Sequence, residues 1–445
     1  MSKVTIIFER IIMQMIVVVA CCALFLCGCS NPLSNNDATN NAADNGSNNA
    51  ADNGLNNAAD NGSNNATDNS EKNSQGASVD DWKQMKKTGE MELEFANQFR
   101  VDYYDDYDLI TIADKEKYLL IPENRSTPNN LEKDVTPIKM PLQNMYVVSS
   151  ASMDLFRELD ALDFVKMTGT KSADWSIDSI RKMVDSGKIL YGGKYSAPDY
   201  EMILKNKCDF ALESTMIFHN PKVKEELESF GIPVMVERLS YESEPLGRAE
   251  WIKLFGLLTG KNEIADAYMD DCSRRYDAVL NKVSKNIDSD VPKKDSSNSQ
   301  NSRPKVAFFY ISSNGYVNIR KPGDYITKMI EIAGGSYAFC DVVLEEENAL
   351  STMNLQMESF YEKAIDADII IYNSTIDGEI ETVEQLLAKS PLLKDFKAVK
   401  NHNAWCTGKN MFQETTGTIG MIEDLYRVIN GEDETELKYL HKLRD

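Results

Sequence analysis

Hydrophobic positions change their spacing several times along this chain. An almost unbroken apolar run from Ile11 to Leu26 is about 16 residues long, short of the roughly 20 that a membrane-spanning helix needs. Residues 31–79 carry almost no large apolar side chain. Between Phe99 and Pro122 apolar positions alternate. Tyr107-Asp108-Leu109-Ile110-Thr111-Ile112 and Lys117-Tyr118-Leu119-Leu120-Ile121 flank the polar Asp114-Lys115-Glu116, a pattern that predicts a β-hairpin.

From Met145 onward, short apolar runs alternate with segments of helical period. Met145–Ser149, Phe164–Thr168, Ile189–Tyr191, Cys208–Leu212 and Pro233–Val236 read as strands. Ser152–Leu162, Ile177–Ser186, Pro198–Asn206 and Pro221–Phe230 read as the helices between them, Pro198 standing at the first helical position of its helix and Gly231 stopping the last. Such alternation builds βαβ units on a mainly parallel sheet. Pro245–Leu258 predicts a helix stopped by Thr259-Gly260. The next helix runs from Asn262 to about Val283, with Ile264, Ala265, Tyr268, Met269, Cys272, Tyr276, Val279, Leu280 and Val283 at helical spacing. A second block opens with Lys305–Tyr310. It holds the helix Asp324–Ile332, the strand Asp368–Tyr372, the helix Ile380–Lys389, the strand Ala404–Thr407 and the helix Ile419–Ile429. The fold class expected is α/β: two α/β lobes with mainly parallel sheets, joined by a single long helix, with a ligand cleft between the lobes.

The unit Asn-Asn-Ala-Ala-Asp-Asn-Gly-Ser/Leu starts at Asn40, Asn48 and Asn56 and decays at Asn64. Stacked copies would have nothing to bury except Leu55, so a disordered linker is expected rather than a solenoid. About 50 flexible residues reach roughly 40 Å. The expected divisions are a signal segment (1–28), linker (29–80), β-hairpin extension (81–134), N-terminal lobe (135–260), linker helix (261–285), low-complexity insertion (286–304) and C-terminal lobe (305–445).

Composition narrows the partners. The net charge is −22, and removing residues 1–28 takes away Lys3, Arg10 and Glu9, leaving the remainder one unit more negative. General electrostatics then disfavour nucleic acid and anionic lipid. Of eight cysteines, Cys21, Cys22, Cys27 and Cys29 lie near the N-terminus. Cys208, Cys272, Cys340 and Cys406 are scattered without metal-ligand spacing and are expected as buried thiols, with one or two disulfides left open. Only His219, His402 and His441 are present, so neither a cofactor metal nor a bare metal-ion cargo is expected. There is no G-x-S-x-G, H-E-x-x-H or P-loop, so no enzyme class is indicated.

Leu26-Cys27-Gly28-Cys29, after a short apolar run, resembles the bacterial lipobox. The resemblance implies cleavage before Cys29, a lipid on its sulfur, and tethering to the outer face of a membrane, the long linker suiting a Gram-positive surface. Further on, Pro198–Ile203 with Lys207–Leu212, Phe230-Gly231-Ile232-Pro233-Val234, Gly256–Ala265, Ala333-Gly334-Gly335, Asp366–Ile371 and Phe396–Lys400 fall in the order of motifs of a known family. Over roughly residues 135–445 the chain is similar to the helical-backbone solute-binding proteins of ABC importers, the iron-siderophore, haem and cobalamin type. Cys208 stands where that family has Pro. The resemblance implies a monomer that delivers an iron complex (siderophore or haem) or a cobalamin-like ligand to an ABC permease and its ATPase. It also implies one permease-docking carboxylate per lobe. Glu201, eight residues before Asp209, matches the family spacing; Glu358, ten before Asp368, is the counterpart. A lipid-anchored enzyme or sensor on the same fold is the alternative.

Ligands of open α/β sheets bind beyond the carboxyl ends of strands. That rule selects Ser150 and Ser152 after the first strand, Ser214 and Thr215 after the fourth, and Tyr241 after the fifth, and Arg248 is a candidate to grip an anionic ligand bidentately. In the second lobe it selects Asn318, Ser374, Trp405 and Gln413, while Trp175 and Tyr195 are the aromatics expected to stack on a flat ligand. Capping and core packing are the competing roles for each.

Overall fold

The computed structural model describes residues 80–289, 303–342 and 351–445. The apolar N-terminal run, Cys29, the Asn/Asp/Ala repeat and most of the 286–304 insertion lie outside the described residues. The described residues all belong to one compact unit. Among the described residues no helix is long and apolar enough to cross a membrane.

The predicted hairpin is the middle of a wider sheet. Strands β1 (Gly89–Glu90), β2 (Phe99–Tyr104), β3 (Tyr107–Ile112), β4 (Glu116–Ile121) and β5 (Val135–Lys139) pair in that order. Only β4 and β5 run parallel. The β3–β4 turn places Ala113 and Asp114 at φ of 50° and 56°, the left-handed pair of a type I′ turn that matches the sheet's twist. One face of this sheet (Val101, Ile110, Tyr118, Leu120 and Ile138) shares a core with Leu155, Phe210, Trp251 and Phe255 of the first lobe. The segment is therefore built into that lobe.

Two buried carboxylates fasten it. Glu250 accepts the backbone N–H groups of Glu94, Phe95 and Ala96 at 2.7–2.9 Å. Glu242 accepts those of Asn97 and Gln98 together with the Trp251 indole N–H. The loop 94–98 thus has its amide donors satisfied by charge rather than by a strand partner.

The first lobe is a five-stranded parallel sheet containing β6 (Met145–Val147), β7 (Val165–Thr168), β8 (Leu190–Tyr191), β11 (Phe210–Ser214) and β12 (Val234–Glu237), in the order β12-β11-β6-β7-β8. The small hairpin β9–β10 (Gly193–Lys194 and Ala197–Pro198) precedes β11. Its helices are α1 (Ser150–Glu158), α2 (Asp178–Asp185), α3 (Tyr200–Lys205), α4 (Pro221–Ser229) and α5 (Pro245–Thr259). Pro198 belongs to β10, and α3 opens instead on Asp199, whose carboxylate accepts the Met202 N–H at 2.9 Å. Gly260 ends α5 at φ 68°, as the C-cap pattern requires.

The linker helix, α6 (Asn262–Ser289), is longer than its apolar stripe. Among the described residues the second lobe has seven strands, β13 (Lys305–Ile311), β14 (Val317–Arg320), β15 (Ser336–Tyr337), β16 (Thr352–Leu355), β17 (Ile369–Tyr372), β18 (Ala404–Thr407) and β19 (Leu440–Lys442). Strands β13, β15, β17 and β18 are parallel, and the antiparallel pairings, β14 with β13 and β16 and β19 with β18, lie towards the margins. Helices α7 (Tyr325–Ile332), α8 (Met357–Ala364), α9 (Val383–Lys389), α10 (Lys397–Lys400) and α11 (Thr418–Asn430) cover it. The central strands are buried nearly throughout, because helices cover both faces of a parallel sheet. The four cysteines of the described residues are all free, with Cys340 exposed and the other three buried.

Candidate functional site

The two lobes repeat one arrangement. In the first, β6 lies between β11 and β7; in the second, β13 lies beside β17. Asp209, just before β11, accepts the N–H groups of Gln143 and Asn144 at the entrance to β6. Asp368, just before β17, accepts the N–H of Lys305 at the start of β13 at 2.7 Å. The helix ahead of each Asp, α3 or α8, carries an exposed glutamate as its second residue, Glu201 in one and Glu358 in the other. Neither glutamate has a hydrogen-bond or ion-pair partner among the described residues. Equivalent position, exposure and lack of a partner set these two apart in a chain with 70 acidic residues.

The carboxyl ends of the parallel strands are joined by a latch near the start of α1. Asp154, fully buried, accepts the Thr416 N–H at 2.8 Å and its hydroxyl at 2.7 Å, and pairs with Arg157 at 2.7 Å. Thr415 donates to the Ala151 carbonyl at 2.9 Å, and Tyr268 of α6 donates to the Thr416 carbonyl. Gln413 reaches across: its oxygen accepts the Ser176 N–H and hydroxyl at 2.7 and 2.6 Å, and its amide donates to the Asp174 carbonyl. On another side, the Arg248 guanidinium stacks on Tyr325 of α7 at 4.1 Å, and the buried Arg320–Asp324 pair approaches the same ring at 5.2 Å. Arg275 of α6 holds Glu423 of α11.

These contacts reassign several expected ligand residues. Gln413 has its amide committed to the latch. Arg248 is buried, donates to the Leu239 carbonyl and packs on Tyr325 rather than facing open space. Trp405 sits inside β18 with its indole N–H on Asn403, and Trp175 lies in the core of the first lobe. Ser152 is fully buried; Ser374 is buried and bonded to Thr407. Asn318 pairs with Asn354 across β14 and β16. Trp175, Trp405, Ser152, Arg248 and Ser374 turned inward, because side-chain direction is set by local register, while the half-buried Gln413 and Asn318 are held by polar partners.

Left at the strand ends are the half-buried Ser150, Tyr195, Ser214, Thr215 and Tyr241. Ser214 spends its oxygen capping the turn that follows (Met216 N–H, 3.4 Å), and the Arg238 guanidinium lies 3.9 Å from the centre of the Tyr241 ring. Next to them the carboxyl-end loops expose large apolar side chains: Met216 and Phe218 after β11, Tyr316 after β13 and Ile376 after β17. Below, Ser149 caps α1 and donates to Glu237 at 2.9 Å. Burial raises the Glu237 carboxyl, opposed by the Leu239 N–H and the Ser149 hydroxyl.

Comparison with solved proteins decides what this framework is. A periplasmic haem-binding protein from Pseudomonas aeruginosa superposes with a TM-score of 0.52 at 12% identity, over 68% of this chain and 98% of its own. A petrobactin-binding protein from Bacillus subtilis gives 0.51 at 12% identity, over 66% and 93%. The fold is that of the periplasmic solute-binding proteins. Those binding proteins are matched almost end to end while covering about two thirds of this chain, a share that leaves room for the N-terminal stretch and the β1–β5 sheet as additions. Two uncharacterized lipoproteins of Methanocaldococcus jannaschii are 26% and 23% identical, over 76% and 80% of this chain and 82% and 88% of theirs. No family model matches.

Proposed function

We propose that this chain is a lipid-anchored, extracytoplasmic solute-binding protein that hands an iron complex, a siderophore or haem, to an ABC permease and its ATPase, without catalysing a reaction itself. The observation that carries the reading is the pair Glu201 and Glu358: one exposed, unpartnered carboxylate at the same position of the same helix in each lobe. Two like charges on two matching lobes form a two-point key for cationic sockets, with electrostatics setting register and encounter rate. The solute-binding fold, and relatives called lipoproteins, support the same reading. Cys29 is the anchor in this scheme, and the polar repeat is the leash that keeps the binder concentrated near its permease.

Within the cleft, Ser150, Thr215, Tyr195 and Tyr241 are the side chains that would meet the solute, and the exposed Met216, Phe218, Tyr316 and Ile376 suit a ligand with apolar faces. The latch at Asp154 and Gln413 implies a cleft that is largely preformed.

The test separates binding from delivery. Thermal melts against haem, ferric siderophores and cobalamin identify the cargo, since a ligand at 100 times its Kd stabilises by about 2.7 kcal/mol. Glu201→Arg and Glu358→Arg, singly and together, are then expected to keep the melting shift and abolish uptake in cells. Uptake undiminished in the double variant sinks the docking role. Loss of binding would place these carboxylates in the solute site instead.

A further inference from the structure

Across the described residues, one group of chemically mixed donors converges without belonging to the cleft or the docking pair. One ring nitrogen of His441 and one carboxylate oxygen each from Glu379 and Glu381 lie within 4.8 Å of one another. From this geometry we infer a binding site for a divalent transition-metal ion of the zinc type at Glu379, Glu381 and His441, on the flank of the second lobe.

The sequence hides this site, because its ligands come from segments about sixty residues apart. His441 belongs to β19, the margin strand paired with β18, where it stands opposite Cys406. The loop after β17 runs alongside that strand. The Arg444 N–H donates to the Glu381 carbonyl at 3.0 Å, and the Val383 N–H donates to the Arg444 carbonyl at 2.8 Å. Ile380 is buried. In extended chain, side chains alternate, so an inward Ile380 sends Glu379 and Glu381 outward on the same side, towards His441.

Each ligand is oriented and keeps an atom to spare. The His441 Nε2 lies 2.9 Å from the Ile380 carbonyl oxygen. That contact places the neutral ring's proton on Nε2 and leaves the Nδ1 lone pair free, the arrangement by which backbone carbonyls set metal-binding histidines. Glu379 accepts the Lys409 N–H through Oε1 at 2.6 Å, and Arg444 stands 3.6 Å from Oε2 of Glu381 without a hydrogen bond. Among the described residues, at least one oxygen of each carboxylate accepts no hydrogen bond. Imidazole with two carboxylates is a borderline donor set. It suits zinc and its neighbours better than magnesium or calcium, which take all-oxygen shells. Three protein ligands leave the remaining positions to water.

An ion held there would tie the loop that follows β17, the one that exposes Ile376 at the strand ends, to the C-terminal strand. The inference stands apart from the importer reading, since it concerns neither the cleft nor the docking carboxylates.

The full chain, prepared in detergent without a histidine tag and stripped with a chelator, is titrated with zinc chloride by calorimetry and followed by thermal melting. One zinc per chain, a higher melting temperature, reversal by chelator and no effect of magnesium are expected. Glu379→Gln and Glu381→Gln, both on exposed side chains, should weaken binding at least tenfold, as should His441→Gln, whose amide can still donate to the Ile380 carbonyl. Cys340→Ser should leave it unchanged. The cobalt-substituted form should show d–d absorption without a thiolate charge-transfer band. No zinc binding at micromolar concentration overturns the inference. So does wild-type affinity in the two glutamine variants at 379 and 381, or loss of binding in Cys340→Ser.

Discussion

Glu213 offers the sharpest test of the energetics of this fold. It sits in β11 opposite Val236, and strand alternation turns it towards the same layer as Ala211, among Tyr146, Ile203, Ile217 and Val236. The residue is fully buried and neither carboxyl oxygen has a hydrogen-bond partner. Burial alone drives its carboxyl well above the ordinary value of 4.5, because an ion in that apolar layer has nothing to replace its water. Below the ordinary carboxylate range both folded and unfolded chains hold the proton, and stability does not depend on this group's charge. As pH rises, the unfolded chain ionises while the folded one keeps its proton. Stability present in acid is then lost at about 1.4 kcal/mol per pH unit until the folded carboxyl itself titrates. Replacement by Met keeps the volume and removes both the unpartnered polar group, worth about 1–3 kcal/mol, and the pH-dependent loss. Urea unfolding of Glu213→Met at pH 5 and pH 7 should show a variant more stable at both. Its advantage should widen by up to about 3 kcal/mol over those two units. A variant less stable than the parent, or an advantage that does not grow with pH, would refute the reasoning.

Glu250→Ala removes the acceptor of three part-buried backbone N–H groups and leaves them without that partner. A loss of about 3–5 kcal/mol in urea unfolding is expected, with faster amide exchange at residues 94–96; unchanged exchange there would show that the loop is held by something else. The thiols should separate cleanly: Cys340 is exposed, while burial pushes Cys208 up to about 12 and Cys406 up to about 11. Since the thiolate is the reactive form, maleimide at pH 7 should label Cys340 alone in the folded 80–445 region, and Cys208, Cys272 and Cys406 only after denaturant, read by peptide mass spectrometry.

The linker helix α6, the strand Lys305–Ile311 and the parallel strands of the first lobe were legible in the chain because their signals are local: a 3.6-residue stripe, an apolar run, a Gly cap. Helix α8 and strands β14, β16 and β19 were not, since short margin elements of mixed polarity owe their structure to a neighbour that only the fold supplies. The candidate ligand residues show the same divide. The strand-end rule names loops, yet direction within a loop is tertiary: Gln413 meets Ser176 from 237 residues away, and Arg248 meets Tyr325 across the lobe boundary. The likeness of position between Glu358 and Glu201 is likewise tertiary, since Asp368 holds Lys305 as Asp209 holds Gln143 and Asn144. Sequence by itself determined the two-lobed α/β plan with its single long helix, because periodicity and caps are written in neighbouring residues. Tertiary structure alone decided which carboxylates are solvated, latched or stranded in the core, because a charge's fate depends on groups brought to it from distant parts of the chain.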